Sequence, residues 1–246
     1  MSIDSFPRSR AIIRWPQNSR RLQQWVSRLR RPALFGTLRR TTPLSENWGF
    51  DRGTPVDRYY IEQFLSTHRD DIRGHVLEVK SSNYTNSFGS GVLHSDILDI
   101  DSTNQKATII CDLAMADAIP QDRFDCFILT QTLQYIYDIR AALAHARRIL
   151  RPGGVLLVTV PALQRIDPEL EKIDLWRFTK VSCEKLFHDV FGADELTIRA
   201  YGNVLTGTAA LYGIAAEELS NHELDTCSDA YPLIVAIRVK KRSSSV

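Results

Sequence analysis

The chain has 246 residues, 43% of them hydrophobic and 24% charged, which is ordinary for a globular protein. That length holds one large α/β domain plus a short extension; no apolar run is long enough to span a bilayer, and the Arg-rich start lacks a signal-peptide core. The net charge of +2 is uneven: residues 1–40 hold ten arginines and no lysine against one acid, Asp4, which leaves the rest at −7. An acidic body argues against a nucleic-acid-binding face on it. Cys111, Cys126, Cys183 and Cys227 are scattered without a CxxC pair, so neither a metal site nor a disulfide framework is expected. The cytoplasm is the default compartment.

Residues 1–45 read as an Arg-rich extension, residues 46–240 as the folded domain and 241–246 as a tail. Within the extension, Arg20 to Arg31 has the pattern of a basic amphipathic helix, with Leu22, Trp25, Val26 and Leu29 at helical spacing. Like-charge blocks usually stay solvated. The alternative is peripheral contact with an anionic membrane surface through charge plus a buried apolar face. Gly53-Thr54-Pro55 then marks a helix start, with Thr54 as cap and Pro55 at the first position. Tyr60, Ile61, Phe64 and Leu65 form its buried stripe.

From Val76 to Pro161, short β-branched runs alternate with helical or polar connections. The expected strands are Val76–Lys80, Ile97–Asp101, Thr108–Cys111, Phe124–Leu129 and Val155–Val160. Several runs end near a polar or acidic residue, Glu78, Asp101, Asp112 and Gln131, as when a parallel sheet presents ligand-binding groups at its carboxyl ends. An acid after the second strand suits two ribose hydroxyls; Asp101 is the first choice and Asp99 the second, because the alternation leaves the register open. Asp138 caps a helix to Leu150, and Arg151-Pro152-Gly153-Gly154 ends it. Further on, a helix from Thr179 or Ser182 to Phe191, a strand over Leu196–Tyr201, a helix over Thr206–Leu219 and a last strand over Leu233–Val239 are expected.

Phe124-Asp125, Thr130-Gln131-Thr132-Leu133-Gln134, Ile136-Tyr137-Asp138, Leu150-Arg151-Pro152-Gly153-Gly154 and Trp176-Arg177-Phe178-Thr179 carry a resemblance. Over roughly residues 49–240 the chain resembles the class I S-adenosylmethionine-dependent methyltransferases. Within them it is most similar to the bacterial methyltransferases found with glycosyltransferases. The resemblance implies a Rossmann-like, mostly parallel seven-stranded sheet with an antiparallel edge strand and helices on both faces. It implies S-adenosyl-L-methionine as cofactor and a small-molecule or glycan acceptor. Glu78, Lys80, Ser81, Tyr84, Asp101 and Gln131 then fall at the cofactor and Asp112 and Leu113 at its adenine, with Asp112 as a turn cap the alternative. Gln134 falls where the fourth strand opens onto cofactor and acceptor. Trp176 and Arg177 suit a sugar, by stacking and hydrogen bonding, or a phosphate; the alternative is core packing for Trp176 and an ion pair for Arg177.

The chain departs from that pattern at one place. The usual glycine-rich turn after the first strand is missing, and Lys80-Ser81 stands where the resembling group keeps Gly-Asp. Lys80 either pairs with the cofactor carboxylate or blocks the approach. This departure sets a second expectation beside methyl transfer to oxygen, a degenerate domain acting as a scaffold or partner subunit. A dinucleotide enzyme is disfavoured, since a pyrophosphate needs GxGxxG. No general base can be read from the sequence. His145 and His188 fall mid-helix, and Asp51, Asp57 and Asp174 compete.

Overall fold

The computed structural model describes residues 22, 25, 26, 28–30, 36–192 and 194–243. The chain divides into two compact units, 1–42 and 43–246. In the first, Leu22, Trp25, Val26 and Arg28, Leu29 and Arg30 are helical; the rest of the expected Arg20–Arg31 helix lies outside the described residues. No described helix is long and apolar enough to cross a membrane.

The second unit is built on seven strands: β1 (Gly74–Val79), β2 (Val92–Asp99), β3 (Ile109–Ile110), β4 (Phe124–Thr130), β5 (Leu150–Pro161), β6 (Glu195–Tyr201) and β7 (Ile234–Lys240). Their order in the sheet is β3-β2-β1-β4-β5-β7-β6. Every pair from β3 to β5 is parallel. The antiparallel strand is β7, which lies between β5 and the outermost strand β6 and pairs antiparallel with both.

The period-2 alternation of a strand explains how one short run serves two cores. In β4, Phe127 and Leu129 face one side and Cys126 and Ile128 the other, and all four are fully buried. The first side is covered by α3 (Ile139–Ile149) and α4 (Lys180–Phe191). In α3 the buried stripe is Ile139, Ala142, Leu143, Ala146 and Ile149, and Asp138 caps it by accepting from the Ala141 N–H at 3.0 Å. The second side is covered by α1 (Val56–Thr67) and α5 (Val204–Tyr212), with the single turn α6 (Asn221–Asp225) beside them. One further short helix, α2 (Asn83–Phe88), follows β1. Each fully buried Phe or Leu contributes about 1.5–3 kcal/mol relative to exposure.

Local chemistry moves several expected boundaries. Thr54 does not cap α1, because Pro55 occupies the cap position. Instead the Thr54 N–H and hydroxyl donate to Glu217 at 2.8 and 2.7 Å. With the bidentate Arg52–Glu218 pair, this pins the entry loop to a distant turn. The expected Thr206–Leu219 helix ends at Tyr212, because Gly213 adopts a left-handed φ of +67°. A side chain there would also meet the Ser45 carbonyl at 2.5 Å. The strand expected to run to Asp101 ends at Asp99.

At the amino ends of β1 and β2, Asp96 is buried at 3% exposure. It accepts from the Thr108 hydroxyl (2.7 Å) and Arg123 (2.6 Å) and bonds His75 Nε2 (2.8 Å). Burial raises its pKa, but the Thr108 and His75 bonds and the Arg123 charge outweigh burial and hold it below the usual carboxylate value. A depressed folded pKa stabilises the fold above the unfolded value and loses that contribution as pH falls through the folded value. Asp96→Ala should therefore lower stability by about 3 kcal/mol at pH 7. In urea unfolding, the gap between wild type and variant should close as the pH is taken below the unfolded value of 3.8.

Candidate functional site

Strand order reverses between β1 and β4: the chain steps outward to β2 and β3, then returns to the other side of β1. In open α/β sheets the crevice at that reversal, outside the carboxyl ends, is where ligands bind. A cleft of about 880 Å³ lies there, lined by residues from the ends of β1, β2, β3 and β4.

The first wall is the turn after β1. Lys80 has a φ of +69°, a left-handed conformation that costs an L-residue roughly 1–2 kcal/mol. Its N–H donates to the Leu98 carbonyl and its own carbonyl accepts from Asn104 Nδ2, both at 2.9 Å. The next turn is organised by Glu78, 2% exposed. Its Oε1 accepts from the Tyr84 N–H at 3.0 Å, and Oε2 accepts from the Thr85 N–H and hydroxyl at 2.7 Å each. Burial raises the Glu78 pKa, and these three bonds oppose it. A buried carboxylate thus fastens the start of α2 and fixes, without glycine, the turn over the cleft. Glu78, Lys80, Ser81 and Tyr84 all line the cleft.

The second wall comes from β2 and β3. Asp99, the second choice from sequence, is the strand-end acid that lines the cleft, and Ile100 beside it is 71% exposed. Asp99 Oδ2 accepts from Asn104 Nδ2 at 2.7 Å. Asp101 is corrected: it lies past the strand end, outside the cleft lining, and accepts from the Thr103 N–H and hydroxyl at 2.8 and 2.7 Å as a turn cap. Asp112 and Leu113 follow β3 and line the cleft; Asp112 also caps a short turn by accepting from the Ala114 N–H at 2.8 Å.

The end of β4 closes the site. Gln131 lines the cleft with a φ of +45°, held by its N–H to the Thr159 carbonyl at 2.8 Å. Its buried Oε1 has no partner among the described residues. Gln131 also faces a cavity of about 20 Å³, room for one water-sized group, lined in part by Trp48, Asp57 and Arg165. The Arg165 guanidinium lies 3.9 Å over the Trp48 ring, and burial raises the Asp57 pKa. Trp48 too has a positive φ, +51°. Three of the four described non-glycine residues with positive φ, Trp48, Lys80 and Gln131, therefore stand around this one region. Backbone strain of about 1–3 kcal/mol per residue gathers at functional sites.

The acceptor candidates are engaged elsewhere. Gln134 is 1% exposed; its carbonyl accepts from the Leu175 and Trp176 N–H groups at 2.9 and 3.3 Å, and its Nε2 donates to the Gln131 carbonyl at 3.0 Å. Trp176 Nε1 donates to the Ile136 carbonyl at 3.0 Å. Arg177 pairs with Asp174 and donates to the Gln164 and Arg165 carbonyls. None of the three lines the cleft; they fasten segment 162–179 beside it. Residues that the sequence analysis did not assign to the site do line it. Arg58 of α1 has its guanidinium 5.8 Å from the Tyr84 ring centroid and its Nε on Glu62 at 2.8 Å. Its (i, i+4) spacing to Glu62 is that of a helix-surface ion pair. Tyr135, Ile136 and Tyr137 also line the cleft.

A family model described as a methyltransferase domain matches residues 40–197, more than half of the chain. No curated protein matches it. Among solved structures, a SAM-dependent methyltransferase from Archaeoglobus fulgidus aligns with 75% of this chain and 94% of its own, at 11% identity and a TM-score of 0.51. An S-adenosylmethionine-dependent methyltransferase from Mesorhizobium loti aligns over 75% and 97% at 14% identity and 0.51. A geranyl diphosphate methyltransferase in complex with SAM aligns over 75% and 85% at 10% identity and 0.52. These three likenesses are of fold: a seven-stranded, mostly parallel, Rossmann-like sheet with its cleft at the strand ends. The family match over residues 40–197 places the chain among the methyltransferase-domain proteins.

Proposed function

We propose that the protein is an S-adenosylmethionine-dependent methyltransferase that acts on an oxygen of a sugar or related glycan intermediate. One observation carries the cofactor: acid–apolar pairs, Asp99-Ile100 and Asp112-Leu113, stand at the ends of neighbouring strands on one cleft. A carboxylate accepts from both ribose hydroxyls, and the apolar neighbours suit the faces of an adenine ring. At the other end, Arg58 and Lys80 line the cleft and complement a carboxylate. The left-handed Lys80 turn supplies the close backbone approach that glycine supplies elsewhere. The donor set therefore fits the group.

When bound, the cofactor supplies a sulfonium methyl for in-line displacement. The chain must hold the acceptor at about 3 Å, aligned, and keep water out. An alcohol acceptor must also lose a proton. The choice of a glycan oxygen rests on the resemblance of Thr130–Asp138 and Trp176–Thr179 to the glycan-associated group.

A specific observation favours a second reading, a partner subunit without turnover: Lys80-Ser81 replaces the usual turn, and Glu78 is fully engaged in fastening α2. For either reading we propose the cytoplasm as the compartment and the Arg-rich extension as a solvated arm, with contact to anionic membrane surfaces as its alternative.

Calorimetric titration with S-adenosylmethionine and S-adenosylhomocysteine should give micromolar binding of both. Asp99→Ala should weaken it at least tenfold, while Asp101→Ala should change it less than twofold. No binding by the folded wild type at millimolar ligand would favour the partner-subunit reading. Lys80→Ala should weaken S-adenosylhomocysteine about tenfold, or about 1.4 kcal/mol; tighter binding in Lys80→Gly with no loss in Lys80→Ala would instead make Lys80 an obstruction.

A further inference from the structure

Segment 162–179 borders the cleft and is firmly attached. The Gln134 carbonyl holds Leu175 and Trp176, the Ile136 carbonyl holds the Trp176 indole, and the Pro161 carbonyl accepts from the Phe178 N–H at 2.9 Å. Its strongest ion pair is turned inward: the Asp174 side chain is only 2% exposed, against Arg177. Phe178 is buried, but several other large apolar side chains are turned outward. Ile166 is 58% exposed, Ile173 48%, Leu175 44% and Trp176 39%. Tyr137, at 81%, extends this surface, its ring 6.3 Å from that of Trp176. Single exposed apolar residues are ordinary; a cluster on one short, well-bonded segment marks an interaction surface or ligand groove.

What covers it can be read from continuity. Ile173 and Tyr137 belong to the patch and also line the cleft, with Leu170 between. The exposed charges of the segment are mixed, Glu169 and Glu171 with Lys172, so it lacks the positive field that would draw it to an anionic bilayer. We infer that the acceptor carries a hydrocarbon chain, which lies over Ile173, Leu175, Trp176 and Tyr137 while its polar head reaches into the cleft toward Gln131. This rests on the reading of the cleft as the site of methyl transfer. The substrate class is then an amphipathic one: a hydroxylated head joined to an alkyl or polyprenyl-like tail.

Octyl β-D-glucoside below its micelle concentration is the probe and glucose the polar control, with the full chain saturated by S-adenosylhomocysteine. Calorimetry should show saturable binding of octyl glucoside and none of glucose. Leu175→Asp and Ile173→Asp should each weaken it at least tenfold, with S-adenosylhomocysteine affinity unchanged in Leu175→Asp. A wild type that binds S-adenosylhomocysteine but not octyl glucoside, or variants that bind octyl glucoside as the wild type does, would overturn the inference and leave the methyltransferase reading standing. A wild type that fails to bind S-adenosylhomocysteine would remove that reading and this inference with it. Sedimentation showing a dimer that Leu175→Asp disperses would assign the patch to a second copy of the chain and overturn the inference as well.

Discussion

A parallel sheet covered on both faces leaves only its strand ends for contact with a ligand. Here the reversal of strand order between β1 and β4 opens a crevice at those ends. Each structural device near the crevice serves that geometry. The buried Glu78 carboxylate takes three hydrogen bonds to hold α2. Asn104 ties Lys80 to Asp99, so the ends of β1 and β2 are one rigid edge. Thr159 of β5 fixes the backbone of Gln131. Precision at the cleft thus comes from the Glu78 and Asn104 side chains and from the backbone bond between Gln131 and Thr159, without a glycine-rich loop.

The fold was legible in the sequence because its physics is local. Buried parallel strands are short β-branched runs, and α3 announces itself through an Asp cap, an apolar stripe and a Pro-Gly stop. Glu78, Lys80, Ser81, Tyr84, Asp112, Leu113 and Gln131, which the resemblance placed at the cofactor, line the cleft, and all but Tyr84 lie at or just after a strand end that the pattern placed to within a residue or two. Where one residue mattered, that tolerance failed. Asp99 and Asp101 share a strand face in any alternating pattern, and only the pairing of Leu98 and Asp99 with β3 shows that the strand stops at Asp99. Gln134, Trp176 and Arg177 stand outside the cleft lining for another reason. Their chemistry suits an acceptor, but the backbone carbonyls that engage Trp176 and Arg177, and the backbone N–H groups that Gln134's carbonyl receives, are distant in sequence and invisible to spacing. Arg58 pairs with Glu62 through its Nε alone among the hydrogen bonds described.

Trp48, Lys80 and Gln131 share a cost. Each holds a left-handed backbone that glycine would hold more cheaply. Each also presents a side chain at the cleft or the cavity beside it. A site that selected only for backbone shape would have glycine there, so the side chains themselves are what the strain secures.

The position of β7 has a consequence for how the molecule assembles. β5 and β6 are not neighbours in the sheet: β7 lies between them, and it is the partner of β6 in the sheet order. During synthesis the chain grows from its amino end, so residues 195–201 emerge with no strand to join and wait until residues 234–240 follow. The five strands β1 to β5, whose first four line the cleft, are complete before that. The nascent protein therefore acquires its ligand-binding edge early and closes its far edge last, through a long-range pairing of the kind that slows folding.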